Sequence, residues 1–186
     1  MKIGRLLLTL AVIVAGGLLL SLWWEARLEQ SQDEPIRAAA RRYGVDPALV
    51  KAVVWRESRF NPNARGTHEE LGLMQLRETA AQEWADAERI EAFSHEHCID
   101  PRTNTLAGTF YLAKLLKRYA RTDNPVPYAL ADFNAGRGNV LKWTTGAAAT
   151  KSAVFMDQIG FPSTRAYVKA VQRRRFLYAL LMRFGS

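Results

Sequence analysis

The chain is expected to fold as an all-α protein: one helical domain preceded by a single N-terminal transmembrane helix. Three observations carry this expectation. Strand signals are scarce in its 186 residues, with no long alternating run and no Asn-Gly or Asp-Gly turn between β-branched segments. The helix formers Ala, Leu, Arg and Glu dominate the composition. Apolar residues also recur at three- and four-residue spacing through most of the chain. The length admits one domain plus a short appendage, and a hydrophobic content of 48% allows a proper core.

The first element follows from an uncharged run of 19 residues, Leu6 to Trp24, preceded by Lys2 and Arg5. As a helix it measures about 28 Å, close to the hydrocarbon thickness of a bilayer. Trp23 and Trp24 end it where an interfacial aromatic belt would lie. Its apolarity on all faces argues against a soluble core helix. The run is longer than a signal-peptide core, and Trp23-Trp24-Glu25-Ala26 offers no small-residue cleavage site. No cysteine follows to carry a lipid. An uncleaved anchor is therefore favoured over a removed signal, with Lys2 and Arg5 inside and the remainder exported. Residues 1–24 are read as the anchor, 25–34 as a polar stalk and 35–186 as the folded domain.

Within the domain, a helix is expected from Pro35 to Tyr43, stopped by Gly44. Asp46 is a good N-cap and Pro47 suits the first helical position of the next. That helix carries Leu49, Val50, Val53 and Val54, and Glu57 falls on the same stripe. Asn61 to Leu71 is rich in Pro, Gly, Asn and charge and reads as a loop. Helices are expected over Leu73–Ala87, over Thr105–Tyr119 after Asp100-Pro101, and over Pro127–Phe133 ending near Gly136. Thr144–Thr150 is small and Gly/Ala-rich, a flexible segment. A closing helix spans Thr164–Phe184, with Tyr167, Val171, Tyr178 and Leu181 inward.

The net charge of +8 suggests an anionic partner. The basic residues are scattered, Arg173-Arg174-Arg175 is the only dense run, and no zinc-finger or RNA-binding signature accompanies them, so nucleic acid is not expected. Most of these charges read as a solvated basic surface, and a polyanionic wall or an acidic lipid face would also suit them. Cys98 is the single cysteine, which rules out an internal disulfide and suggests a small buried apolar residue. His95-Glu96-His97-Cys98 lacks the spacing of a zinc helix, so no metal is expected, and no phosphate loop or nucleophile motif marks Ser58 or Ser94.

Glu57 carries the chemical signal. An acid on the apolar stripe, near the negative end of its helix, has its charged form disfavoured by burial and by the helix dipole. Both raise its pKa toward that of a general acid working near neutral pH.

The motifs around Glu57 carry a resemblance. Glu57-Ser58 with Asn61-Pro62, then Gly72-Leu73-Met74-Gln75, resembles the opening of the soluble-lytic-transglycosylase (SLT) family of lysozyme-like enzymes. Asp100-Pro101-x-x-Asn104-x-x-x-Gly108-x-x-Tyr111-Leu112, Ala131-Asp132-Phe133-Asn134-Ala135-Gly136 and Thr164-Arg165-Ala166-Tyr167-Val168 resemble its later blocks in order and spacing, roughly from Ala38 to Val171. The resemblance implies a lysozyme-like helical fold with a sugar groove. It also implies cleavage of the MurNAc-β-1,4-GlcNAc bond of peptidoglycan, without water, leaving a 1,6-anhydro end. No metal or organic cofactor is implied. It places the domain in a Gram-negative periplasm, on the inner membrane through residues 6–24, or free there if the signal is cleaved.

A glycosidase ordinarily pairs two carboxylates. Here Glu57 alone has a strong claim; if no second acid faces the anomeric carbon, the substrate must supply the nucleophile, and the resemblance implies that its own acetamido oxygen and 6-hydroxyl do so. Spacing leaves Tyr167 open between a core tyrosine and a partner of the acid; the resemblance implies that its phenol bonds Glu57. Gln75 and Asn134 offer neutral amides for acetamido and hydroxyl groups, and Met74 an adaptable apolar wall. Gly72 permits close backbone approach to a ligand or simply starts a helix. Ser58 is a groove hydroxyl or a helix-ending residue.

The chain departs from the family at four places. Glu69-Glu70-Leu71 precede Gly72, and Arg65-Gly66-Thr67 stand where a serine is usual. Glu69 and Glu70 read as surface charges, more so than as a second catalytic acid. Phe133 replaces a tyrosine, with Asp132 beside it a further acid candidate, and Ser163 replaces a glutamate. A muramidase on the same bond, or a non-catalytic peptidoglycan-binding scaffold, remains an alternative.

Overall fold

The computed structural model describes residues 2–184, and the side chains of Lys2, Ile3, Leu6, Leu8 and Phe184 lie outside what it describes. Leu6 and Leu8 of the apolar run thus lie outside the described side chains. Among the described residues nine α-helices form: α1 Lys2–Ser31, α2 Asp33–Tyr43, α3 Pro47–Ser58, α4 Glu78–Ala87, α5 Pro101–Arg118, α6 Pro125–Ala135, α7 Arg137–Trp143, α8 Ser152–Gln158 and α9 Pro162–Phe184. Among the described residues, extended pairing is limited to two isolated bridges, Arg65 with Leu71 and Leu71 with Leu76.

The hub of the domain is α3. The cap is as the sequence suggests: Asp46 Oδ1 accepts from Ala48 N at 2.9 Å, with Pro47 at the first position. The helix is not a one-sided stripe, however. Every residue from Ala48 to Val54 is buried, because α2 and α9 cover it from different sides. Even Lys51 is buried, and its ammonium is neutralised by Asp33 at 2.7 Å and Glu29 at 3.4 Å. A buried unpaired ammonium would be expensive, so this pairing fixes where α1 meets the domain.

Four expectations change. Residues 25–34, read as a polar stalk, are largely helical: α1 continues through Ser31, Leu28 packs on the core, and Gln32 is buried. The Leu73–Ala87 helix shrinks to Glu78–Ala87, because residues 71–76 form a tight loop in which Leu71 and Leu76 exchange backbone bonds at 3.0 Å. Thr144–Thr150 contains a 3-10 turn at Gly146–Ala149, with Ala148 buried and its carbonyl accepting from Tyr128 Oη at 2.8 Å. The Tyr128 ring stacks on Phe155 of α8 at 4.1 Å, which ties this corner to the core. In α9, Tyr167, Val171 and Tyr178 point inward, but Leu181 is 65% exposed because the helix has run past its partners.

The apolar part of α1 stands apart. It is long and apolar enough to cross a membrane, and its described side chains from Leu10 to Trp24 are exposed rather than packed on the domain.

Candidate active site

Glu57 is the penultimate residue of α3, and the chain reverses immediately after it. Arg59 and Phe60 both take the left-handed conformation, at φ 52° and 64°. Such geometry is costly for side chains with a Cβ and persists where packing enforces it, here by the burial of Phe60. The turn sends residues 61–76 back along one wall of a groove of about 560 Å³. The opposite wall is built by Tyr111 of α5 and by Phe133, Asn134 and Gly136 at the end of α6.

Tyr167 of α9 donates its phenol proton to Glu57 Oε1 at 2.6 Å, joining residues 110 positions apart. Burial raises the Glu57 pKa from 4.5 to about 7; the Tyr167 bond and the Arg56 charge pull it back, and Glu70 pushes it up. Tyr167 is itself buried, and burial together with the neighbouring acid holds its phenol well above the ordinary range. It therefore acts as a fixed donor and not as a base. For Tyr167→Phe, the loss of one hydrogen bond to an acid predicts an activity fall of about ten- to a hundredfold. The basic limb of the pH–rate profile should move up, since a pKa-lowering bond is gone. An unshifted limb would rule out this pairing.

The loop wall is held by one buried side chain. Asn104 of α5 donates from Nδ2 to Leu71 O and Cys98 O, both at 2.8 Å, and accepts from Met74 N at 2.8 Å. Gly72, at φ 73°, is packed so tightly that a Cβ would collide with Asn104 Nδ2 and the Cys98 carbonyl. Its close approach is thus to the protein itself and not to a ligand, which corrects its placement as a binding residue. Met74 is also corrected. It is fully buried beneath the loop and does not line the groove. Ser58 donates to Val54 O at 3.3 Å and takes its helix-ending role.

Gln75 and Asn134 do line the groove. The Gln75 amide nitrogen is taken by Ala64 O at 3.1 Å and Gly72 O at 2.8 Å, which leaves its oxygen as an acceptor. Asn134 Oδ1 accepts from the buried Thr164 hydroxyl at 2.8 Å, which leaves its NH₂ as a donor. These orientations follow from the hydrogen-bond network. The closing block of α9 thus sets two groups at once: Thr164 orients Asn134 and Tyr167 orients Glu57. Arg165 meanwhile donates to the carbonyls of Asp157 and Ile159, each at 2.7 Å, and fixes the start of the helix.

Asp132 is not a free second acid. Its Oδ2 accepts from Arg118 Nη1 at 2.6 Å and from Tyr119 Oη at 2.7 Å, a buried brace between α5 and α6. The His95–Cys98 segment is a capped 3-10 turn: His97 closes a capping box with Ser94, and Glu96 pairs with Arg65 at 2.8 Å. Among the described residues no group of three or more His, Cys, Asp or Glu converges as a metal site would need. Sequence reasoning gave Asn104 no role and treated Glu70 as a surface charge. The signal for Asn104 was its place four residues after a helix-capping Asp; nothing in the sequence said that its partners lie 30 residues upstream.

The chain matches the Transglycosylase SLT domain family over residues 34–156. It is 31% identical over 157 residues to a Haemophilus influenzae protein that bears the name soluble lytic murein transglycosylase, covering 83% of this chain and 26% of that one. Its fold is similar to that of lytic transglycosylase Slt from Pseudomonas aeruginosa, an inactive mutant, with TM-score 0.73 and 26% identity over 81% of this chain and 24% of that one. The 70-kDa soluble lytic transglycosylase of Escherichia coli gives TM-score 0.69 and 27% identity, over 78% of this chain and 24% of that one. The chain spans about a quarter of the length of these relatives.

Proposed function

The chain belongs to the transglycosylase SLT domain family, and we propose that it is a membrane-anchored lytic transglycosylase that cleaves the MurNAc-β-1,4-GlcNAc bond of peptidoglycan. The observation that carries the reading is the Glu57–Tyr167 pair: a carboxyl with a pKa raised to about 7, held by a phenol at 2.6 Å and lining the groove.

The chemistry follows from the atoms available. Glu57, in the protonated form that its raised pKa keeps available near neutral pH, gives its proton to the glycosidic oxygen, and the C1–O electron pair leaves with that oxygen. Positive charge gathers on the ring, steadied by the sugar's own acetamido oxygen. The 6-hydroxyl oxygen then supplies the new bond to C1 as its proton passes to the Glu57 carboxylate. Holding both groups of one sugar in place makes ring closure an intramolecular step, which is entropically favoured over capture of water. Gln75 Oε1 and Asn134 Nδ2 present one acceptor and one donor, the complement of an acetamido group.

Digestion of purified sacculi with the full chain, read by mass spectrometry of the released fragments, tests the product. Anhydro-muramyl ends are expected. Reducing ends in their place would make the protein a muramidase, and binding without release would make it a scaffold. The anchor rests on the apolar length of α1 and on its lack of packing partners on the domain. Alkaline extraction of membranes should leave the protein in the pellet; release as a shortened, soluble form would mean that the segment is a cleaved signal.

A further inference from the structure

We infer that Glu70 is the anionic counterpart of Glu57: an ionised carboxylate seated in the same groove, which attracts the positive charge that builds on the sugar ring without exchanging a proton itself. The inference rests on the transglycosylase reading and goes beyond it by giving the second groove carboxylate a task.

The seat of Glu70 is built. Its Oε2 accepts from His68 N at 2.9 Å and its Oε1 from Arg77 Nε at 3.1 Å, and its side chain is only 20% exposed. Gly66 donates its N–H to the Glu70 carbonyl at 2.8 Å, and the space where a Gly66 side chain would sit is filled by the Glu70 carboxylate. A Cβ at position 66 would collide with Oε2 and come within 3.0 Å of Gln75 Oε1. The glycine at 66 and the glutamate at 70 thus form one device, which places a charge beside the amide of Gln75. A surface charge needs no such arrangement.

Electrostatics agree with the geometry. Burial works against ionisation of Glu70, but the His68 N–H, Arg77 and its own N–H outweigh it and hold its carboxyl below the ordinary value. The carboxylate in turn helps keep Glu57 protonated. The other charged or titratable groups around Glu57 offer no equivalent. Tyr167 is a fixed donor, and Arg56 on its own helix is cationic. On the far wall the Tyr111 phenol has a raised pKa and Asp132 is paired with Arg118. Arg77, the partner of Glu70, has a side chain 58% exposed, so solvent screens its charge more than it screens the carboxylate it holds.

The test is the pH dependence of sacculus digestion by the full chain, comparing wild type, Glu70→Gln and Gly66→Ala, with thermal unfolding as the check on folding. Gln keeps an acceptor for the His68 N–H but removes the charge. Glu70→Gln is expected to lower kcat about ten- to a hundredfold, with KM within about twofold of wild type. The basic limb of its profile should move to lower pH, because Glu57 loses the neighbour that raises its pKa. Gly66→Ala keeps the charge but displaces it, and should shift the limb in the same direction by less. An unshifted limb overturns the inference, and so does a kcat loss without a shift, since a loop brace alone would give that. Conversion of wild-type reducing ends into anhydro ends by Glu70→Gln also overturns it, by making the carboxylate a base for water. Reducing ends from wild type and mutant alike would instead sink the transglycosylase reading, and the limb shift would still decide the inference by itself.

Discussion

Replacing Glu57 by Gln is expected to abolish lysis while leaving glycan binding intact. The amide keeps the shape of the side chain and can still meet the Tyr167 phenol, but it has no proton to give. General acid catalysis contributes about 10²- to 10⁴-fold, and here the same group must serve twice, as acid and then as base, so the loss should reach or pass the top of that range. Release of soluble fragments from sacculi measures the loss, and co-sedimentation with intact sacculi measures the binding. Residual activity above a few per cent would move the proton donor elsewhere.

The same substitution should raise stability at high pH. The folded-state pKa of Glu57 is about 7 against an ordinary 4.5, so between these values the folded protein holds more protons than the unfolded chain. Stability therefore falls as pH rises through that window, since the folded state must either stay protonated or bury a charge. The cost at pH 8 is about 3 kcal/mol at 1.36 kcal/mol per pKa unit. Glu57→Gln removes it. Its advantage in urea unfolding should therefore appear at pH 8 and vanish near pH 4; equal stability at both would show that residue 57 is better solvated than its surroundings suggest.

Replacing Asn104 by Ala is expected to cost about 4 kcal/mol and to abolish activity although its side chain is buried and does not line the groove. The substitution orphans the Met74 N–H and takes the Asn104 bond from the Cys98 carbonyl in a buried site, while the Leu71 carbonyl loses one of two bonds and keeps Leu76 N. Each unmade buried bond costs about 1–3 kcal/mol, less whatever water can repair. The loop that then loosens carries Gln75, whose backbone sits at φ 48°, a conformation held only by its surroundings. Asn104→Asp keeps the acceptor for Met74 N and loses both donor bonds, so it should be intermediate. Denaturant unfolding gives the stability and sacculus digestion the activity. A loss below about 1 kcal/mol would mean that the loop is held by its own backbone pairing.

How much was legible follows from the range of each interaction. Caps are local, so Asp46-Pro47 and the stop at Gly44 read correctly from the sequence and set two helix ends, whereas the helix expected from Thr105 already starts at Pro101 with Asp100 as its cap. Periodicity is local too, and it put Tyr167, Val171 and Tyr178 on the buried face of α9 while missing that the helix outruns its neighbours by Leu181. The 73–76 segment read as helix because its residues are good helix formers, yet Asn104, 30 residues on, takes the Met74 N–H for itself. Met74 looked like a sugar contact because it sits in the motif beside Gln75; side chains on adjacent residues of a tight turn point apart, so one faces the groove and the other the core.

The sequence by itself determined the helical class, the apolar lead segment and the place of Glu57 near the end of its helix, because composition, periodicity and capping act over a few residues. Tertiary structure alone decided which acid is free. Asp132 is spent on Arg118 and Tyr119, Glu70 is seated over Gly66, and Glu57 is left to a phenol 110 residues away. A carboxyl's pKa is set by what the fold brings within a few ångströms of it, and spacing along the chain does not encode that distance.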